Sequence, residues 1–467
     1  MVRRERLVAV ATLALLQAFV CAAGAYVLAG GPGDDLATKA PAKTVTPTPA
    51  PVAIVTAGPV LPPAPDGPLP GKGTLAARLT RALGDSALGG SVGAVVIDVG
   101  GRSTLFGSAA NTGLTPASTT KIVTAVAALT SLGPDTRVAT RVVQEKPGTI
   151  TLVGGGDPTL AGPKAARSPG YPRSASLVML ASRTARALKA AGVTSVSLSY
   201  DDSLFSGPRT APGWKPGYVP EGSVAPVTAL TIDEGRQNPG GSARYADPPE
   251  SATEAFASLL RRYGLKVGKQ VKRDETASTA REIARVESPP VYELVEHMLT
   301  QSDNDLAEAL AHLVAVKEGR PGTFSGVAQA MQSTLKRLGV ADGVLVYDGS
   351  GLSTRNRITP AALARLIALA ASPANPHLHA VISGLPVAGF TGTLGHRYDK
   401  RDSKAAAGVV RAKTGTLNGV NTLTGLSRTA DGRLVAFAFM ADKVTDPDGA
   451  VAALDRLAAL VSGCGCS

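Results

Sequence analysis

Cysteine is nearly absent: the 467 residues hold three, with Cys21 in an apolar run and Cys464 and Cys466 among the last four positions. That excludes a disulfide scaffold. The five histidines form no His-Glu-x-x-His, and His377 and His379, two apart, would face opposite sides of a strand with no third ligand nearby. No metal site and no cofactor are expected from them. Aromatics amount to 4%, with a single Trp, too few for the stacking platforms of RNA and single-strand readers. Charged residues are also sparse, 18% against 44% hydrophobic, the opposite of a disordered chain.

What is present begins with charge and length. Lys plus Arg outnumber Asp plus Glu by 48 to 36, a net +12, which suits nucleic acid, anionic lipid or an acidic wall polymer as a neighbour. No basic run is interleaved with aromatics, so nucleic acid is not expected. The length allows two or three domains.

Arg3, Arg4 and Arg6 precede an apolar run from Leu7 to Leu28, an export signal over residues 1–31. The run exceeds the about 7–15 residues of a cleavable signal core and favours an uncleaved anchor, while Ala23-Gly24-Ala25 keeps a cleaved signal peptide open. Either way the remainder faces outward. Val20 is a poor residue before a lipidated cysteine, so Cys21 reads as a buried apolar neighbour. Residues 32–74 carry 11 of the 34 prolines. This tether would reach on the order of 100 Å when extended, and membrane contact is expected through the N-terminal segment only.

The exported body divides by pattern. Helical spacing over 75–84 leads into a β-branched strand at 91–99 and a hairpin return at 103–107. Leu114 to Leu132 is a helix apolar on nearly every side, which belongs at the centre of a domain. Short strands and two amphipathic helices, near 175–191 and 252–264, then form a separate α+β unit over 138–285. Helices follow at 291–299, 303–316, 325–338 and 360–371. Three strands at 409–414, 421–426 and 434–440, joined at Asn-Gly and Asp-Gly, make an antiparallel meander before a closing helix at 448–461. The expected fold is α+β: one antiparallel sheet built from both ends of the body (75–137 and 286–467), flanked by helices, with 138–285 inserted.

Chemistry concentrates in three short motifs. Ser118-Thr-Thr-Lys121 opens the buried helix, where residues three apart share a face and the amine reaches the hydroxyl. A serine needs a base, and a lysine serves if burial or a second cation destabilises its ammonium. The helix N-terminus favours the alkoxide, and the Ser118 N–H is placed to hold an oxyanion. Alone the pattern is common, and Ser333 with Lys336 repeats it on a surface-like helix. Order distinguishes them: Ser302-Asp303-Asn304 falls in a break between helices, and Lys413-Thr414-Gly415-Thr416 ends a strand that reads as internal to the sheet. Ser333 follows Ser302 and cannot lead the set. Gly89-Gly-Ser-Val-Gly93 has the form of a nucleophile elbow, but a strand follows it where a helix is needed.

Ser-x-x-Lys, Ser-Asp-Asn and Lys-Thr-Gly in this order resemble the signature of penicillin-binding proteins and serine β-lactamases. Leu152-Val-Gly-Gly-Gly-Asp-Pro-Thr-Leu160, Ser288-Pro-Pro290, Tyr347-Asp-Gly-Ser-Gly-Leu-Ser353 and Gly392-Thr-Leu394 sharpen the resemblance. Over about residues 75–463 the chain resembles the class C low-molecular-mass penicillin-binding proteins, the D-alanyl-D-alanine carboxypeptidases and endopeptidases. The long stretch between Ser118 and Ser302 agrees with that family's inserted domain, although 138–285 is too short for a further sizeable domain nested in it.

The resemblance implies a serine carboxypeptidase, with endopeptidase activity left open beside it, acting on peptidoglycan stem peptides ending in D-Ala-D-Ala, with β-lactam antibiotics as covalent inhibitors. It implies Ser118 as acylated nucleophile, Lys121 as its base, Ser302 as proton relay, and Asn304 as ligand of a substrate carbonyl and of Lys121. Lys413 would lower the Lys121 pKa and attract the substrate carboxylate. Thr414 and Thr416 would bind that carboxylate, the Thr416 N–H would complete the oxyanion hole, and Gly415 would leave room for substrate. A β-lactamase, and a non-catalytic wall-binding or β-lactam-sensing protein on the same fold, are the competing readings.

Overall fold

The computed structural model describes residues 67–165 and 170–465. The export segment, the tether up to residue 66 and Cys466 lie outside the described residues. The first elements are helix α1 (Lys72–Leu83), the hairpin of β1 (Ser91–Asp98) and β2 (Thr104–Ser108), and α2 (Thr120–Ser131). Next come β3 (Ala139–Lys146), β4 (Thr149–Val153), α3 (Leu177–Ala190), β5 (Ser195–Asp201), α4 (Pro248–Arg262), the two-residue strands β6 (Lys266–Val267) and β7 (Lys272–Arg273), and β8 (Arg281–Glu287). Helices α5 (Val291–Gln301), α6 (Asn304–Lys317) and α7 (Phe324–Arg337) precede a short pair, β9 (Val344–Leu345) and β10 (Arg357–Ile358). Helices α8 (Pro360–Ala371) and α9 (His379–Ser383), strands β11 (Arg411–Leu417), β12 (Val420–Arg428) and β13 (Leu434–Asp442), and α10 (Pro447–Ser462) complete the order.

Strands from both ends of the body make one antiparallel sheet in the order β11-β12-β13-β1-β2. The two-residue Asn-Gly connection between β11 and β12 requires a left-handed glycine, and Gly419 has φ 75°. Both faces of the sheet are covered, and the strands are apolar on both. Val95, Ile97, Ala438 and Met440 pack into a cluster with α2 and helices α5 to α8, whereas Ala94, Val96, Phe437 and Phe439 pack against α1 and α10. Each buried Val, Ile, Met or Phe side chain among them contributes about 1.5–3 kcal/mol, so the two clusters fix the register of the central strands. Helix α2 runs through the first cluster with every residue from Thr120 to Leu129 buried, as its all-round apolarity implies.

The segment from β3 to β8 forms a second sheet, ordered β6-β5-β4-β3-β8 with β7 also on β5. Helices α3 and α4 supply Leu180 and Phe256 to its own core, against Ile150 and Leu152. Ala139 pairs with Glu287 across β3 and β8, so the chain enters and leaves this sheet side by side. The loop between β5 and α4 returns to the first sheet's helices: the Ala225 N–H donates to Asp305 at 2.7 Å and Arg244 pairs with Asp305 at 2.9 Å.

One expectation is corrected. Strand β11 is the edge of its sheet: among the described residues β12 is its one strand neighbour, and a single antiparallel bridge joins Arg411 to Val387 on the other side. Its Ala412 and Lys413 are buried because helix and turn segments cover them, not because strands flank them on both sides, which is why composition alone reads it as internal. The Ala412 N–H donates to the Pro386 carbonyl at 3.0 Å, so the start of the edge is covered, and the part of the strand beyond it can receive an extended peptide.

Candidate active site

Ser118 sits in a single tight turn, Ala117–Thr119, that leads directly into α2. It stands just outside the α-helix rather than in its first turn. Ala117 holds a left-handed φ of 48°, a conformation that costs a non-glycine residue about 1–3 kcal/mol. The turn is tied down on both sides: the Pro116 carbonyl accepts from Thr119 Oγ1 at 2.6 Å and from Thr422 Oγ1, on β12, at 3.0 Å.

Lys121 is fully buried. Its Nζ lies 3.0 Å from Ser118 Oγ, 2.6 Å from Asn304 Oδ1 and 2.8 Å from the Ser350 carbonyl. Those three partners use every position on the nitrogen. As a neutral amine, Nζ gives its two N–H groups to Asn304 and Ser350 and turns its lone pair to the Ser118 hydroxyl.

The Ser302-Asp303-Asn304 tripeptide explains itself locally. Ser302 ends α5 in the left-handed conformation, φ 59° and ψ 37°, and Asp303 caps α6 by accepting the Leu306 N–H at 2.9 Å. That reversal aims Ser302 and Asn304 into one cleft. Asn304 Nδ2 donates to the Ser223 carbonyl at 2.8 Å, which fixes the amide with its oxygen on Lys121. Lys413, also fully buried, donates to Ser302 Oγ at 2.8 Å and to the Thr414 carbonyl at 2.9 Å. Thr414 Oγ1 meets Thr393 Oγ1 at 2.8 Å, and Thr416 is exposed further along the edge strand.

Burial depresses both lysines. Lys121 falls to about 8, chiefly through desolvation, while Asp303, Asp348, Glu308 and Asp305 pull it back upward. Lys413 lies well below the ordinary lysine range, again mainly through burial and next through the neighbouring Lys121 cation. Of the two causes expected to destabilise the ammonium, burial is the largest for Lys121.

Gly415 has a packing reason. A Cβ there would come within 2.2 Å of Thr422 Oγ1 and 2.7 Å of the Pro116 carbonyl. A side chain would push the turn that carries Ser118 off the sheet.

Several residues at the site carried no signal of their own. Ser223 and Ser350 take part through backbone carbonyls, which any residue supplies. Glu308 was visible as a carboxylate in an apolar helix, one turn after Asn304. Beside Ser302 and Asn304 opens a cavity of about 310 Å³, also lined by Glu234, Arg236 and His297. Glu234, His297 and Asp303 bring potential ligand atoms within 4.8 Å of one another, but Arg236 pairs with Glu234 at 2.9 Å and the α6 cap engages Asp303. The decoy Ser333 donates to the Gln329 carbonyl on its own helix.

A two-faced antiparallel sheet with a serine and a buried lysine at the start of its central helix defines a penicillin-recognising serine hydrolase. Comparison with known proteins narrows the class. The D-Ala-D-Ala carboxypeptidase 3 (S13) family profile matches residues 75–241 and 236–461. Carboxypeptidase DacB of Mycolicibacterium smegmatis is 35% identical over 98% of this chain and 97% of its own length. A D-alanyl-D-alanine carboxypeptidase of Actinomadura is 28% identical over 75% of this chain and 78% of its own. In fold, the structure matches penicillin-binding protein 4 (dacB) of Haemophilus influenzae with TM-score 0.68 and 23% identity, covering 81% of this chain and 97% of that one.

The chain belongs to the D-Ala-D-Ala carboxypeptidase 3 (S13) family. It is a serine-type D-Ala-D-Ala carboxypeptidase of peptidoglycan, inhibited by β-lactams, and it is extracytoplasmic, as its substrate is. No helix among the described residues is long and apolar enough to cross a membrane.

Proposed function

We propose that Ser118 attacks the carbonyl between the two terminal D-alanines, with Lys121 as general base and the Ser302–Lys413 pair as the acid side. The observation that supports this is the contact of one amine, Lys121 Nζ, with Ser118 Oγ at 3.0 Å and Asn304 Oδ1 at 2.6 Å. Neutral Lys121 takes the Ser118 proton as the Oγ–carbon bond forms. The tetrahedral oxyanion is held by the N–H groups of Ser118 and Thr416. As the carbon–nitrogen bond breaks, the proton passes through Ser302 to the departing amine, and free D-alanine leaves. Water then gives a proton to Lys121 as it attacks the ester carbon, and Lys121 returns that proton to Ser118 Oγ as the ester bond breaks, which frees the serine hydroxyl and the shortened peptide. Lys413, Thr414 and Thr416 hold the substrate's terminal carboxylate, and Gly415 lets the nucleophile's turn approach the strand.

In this reading the catalytic domain comprises 75–137 and 286–467, and 138–285 is its inserted domain. The N-terminal segment serves as membrane anchor or signal peptide, with a proline-rich tether between. The test is to incubate the protein with a stem pentapeptide and with a crosslinked dimer, and to follow both by mass. Loss of one D-alanine from the pentapeptide is expected. Opening of the crosslink without release of D-alanine would make the enzyme an endopeptidase instead.

A further inference from the structure

The carbonyl that holds Lys121 is itself held by a buried carboxylate. Glu308 lies on α6 one turn after Asn304 and is fully buried. Its Oε2 accepts the Gly349 N–H at 3.0 Å and its Oε1 accepts the Ser350 N–H at 2.7 Å. On the other side of the same loop, the Ser350 carbonyl accepts from Lys121 Nζ at 2.8 Å and the Gly349 carbonyl accepts from Thr124 Oγ1 at 2.6 Å. Asp348 closes the loop by accepting from the Gly351 and Ser353 N–H groups at 3.0 and 2.6 Å. Both Glu308 oxygens thus face donors, the pattern of an acceptor-only carboxylate. A carboxylate buried with no cation in contact is costly, and an amide or hydroxyl acceptor would fill the space with less penalty.

We propose that Glu308 is a positioning residue for the acylation step: it fixes the Ser350 carbonyl and, through it, the direction and proton affinity of the Lys121 amine. The inference rests on Lys121 being the base. With the Ser350 carbonyl fixed, two acceptors define where the amine's N–H groups point, and the lone pair is left on Ser118 Oγ. Without it, one acceptor remains and the amine rotates about that single bond. Charge acts in the same place. The ionisable groups facing Lys121 are Glu308 on α6, Asp348 on the loop, Asp303 and Asp305 at the start of α6, and Lys413 on β11. The carboxylates raise the amine's proton affinity against the burial that lowers it. Burial and Asp348 push Glu308 upward, while the hydrogen bonds that its oxygens accept from the Gly349 and Ser350 N–H groups favour the ionised carboxylate.

The test measures the acylation rate of Ser118 by a fluorescent penicillin from pH 5.5 to 9.5, normalised to active-site titre, with Tm recorded in parallel. In Glu308→Gln the side-chain amide meets a backbone N–H, and about a tenfold or greater fall in rate is expected. The rising limb of its pH profile should also move to lower pH, because a negative charge beside the amine is gone. Leu335→Ala, a core truncation on α7, supplies a protein of reduced Tm that should keep the wild-type rate and limb. If Glu308→Gln does not fold, Glu308→Asp keeps the charge but withdraws it from the loop, so the rate should fall with the limb unmoved. A wild-type rate and limb in the Glu308 variant that folds, or a loss equalled by Leu335→Ala at the same Tm, overturns the proposal. Absence of label on Ser118 in the wild-type protein would instead overturn the assignment of Ser118 and Lys121 on which it rests.

Discussion

Lys121 Nζ lies 2.6 Å from Asn304 Oδ1, a contact between residues 183 positions apart. It joins the helix that follows the Ser118 turn to the helix that starts at the Ser-Asp-Asn reversal. Because the Asn304 amide is in turn fixed by the Ser223 carbonyl at 2.8 Å, the segment carrying the second sheet has a hand in aiming the Lys121 amine.

Asn304→Ala should slow acylation by about a hundredfold, the scale expected when a reacting group loses its alignment. Stopped-flow measurement with a chromogenic β-lactam checks it. A rate within threefold of wild type would show that the amine is aligned without the amide.

Lys121→Arg should be as inactive as Lys121→Ala, both down by about 10²–10⁴-fold. A guanidinium keeps its charge and cannot accept the serine proton. Partial activity in the arginine variant alone would show that positive charge, not proton transfer, is what the position supplies.

The pH dependence follows from the Lys121 value of about 8. The base form is unprotonated, so it is the minority species below pH 8 and the majority above. The acylation rate should rise about tenfold per pH unit on the acid side and level off above about 8. A rate that is flat from pH 6 to 9 would contradict a lysine base.

Gly415→Ala should cost about 1–3 kcal/mol, the range for overpacking a tight contact, since the added carbon meets Thr422 Oγ1 and the Pro116 carbonyl. Urea unfolding measures the loss, and acylation should fall with it because the displaced segment carries Ser118. Wild-type stability with impaired substrate affinity would return Gly415 to a purely substrate-facing role.

Much of the fold is legible in the sequence, and the reasons are local. The apolar run after Lys121, the reversal at Ser302 and the Asn-Gly turn at Gly419 each dictate their own geometry, and the sheet built from both ends follows from strand order. The edge position of β11 is not legible, since covering segments bury a strand as well as neighbouring strands do. At the site, the side chains of Ser118, Lys121, Ser302, Asn304 and Lys413, which meet through hydrogen bonds, are readable by type and order. The Ser223 and Ser350 carbonyls were not, because a backbone group leaves no mark on residue identity. That Lys121 is buried deeply enough for desolvation to be the largest cause of its depression needed the three-dimensional environment.

The central claim is tested most directly by labelled penicillin followed by peptide mapping. One equivalent should attach to the wild-type protein, on the peptide containing Ser118, and none to Ser118→Ala. Label retained in Ser118→Ala, or found on the peptide containing Ser333, would contradict it.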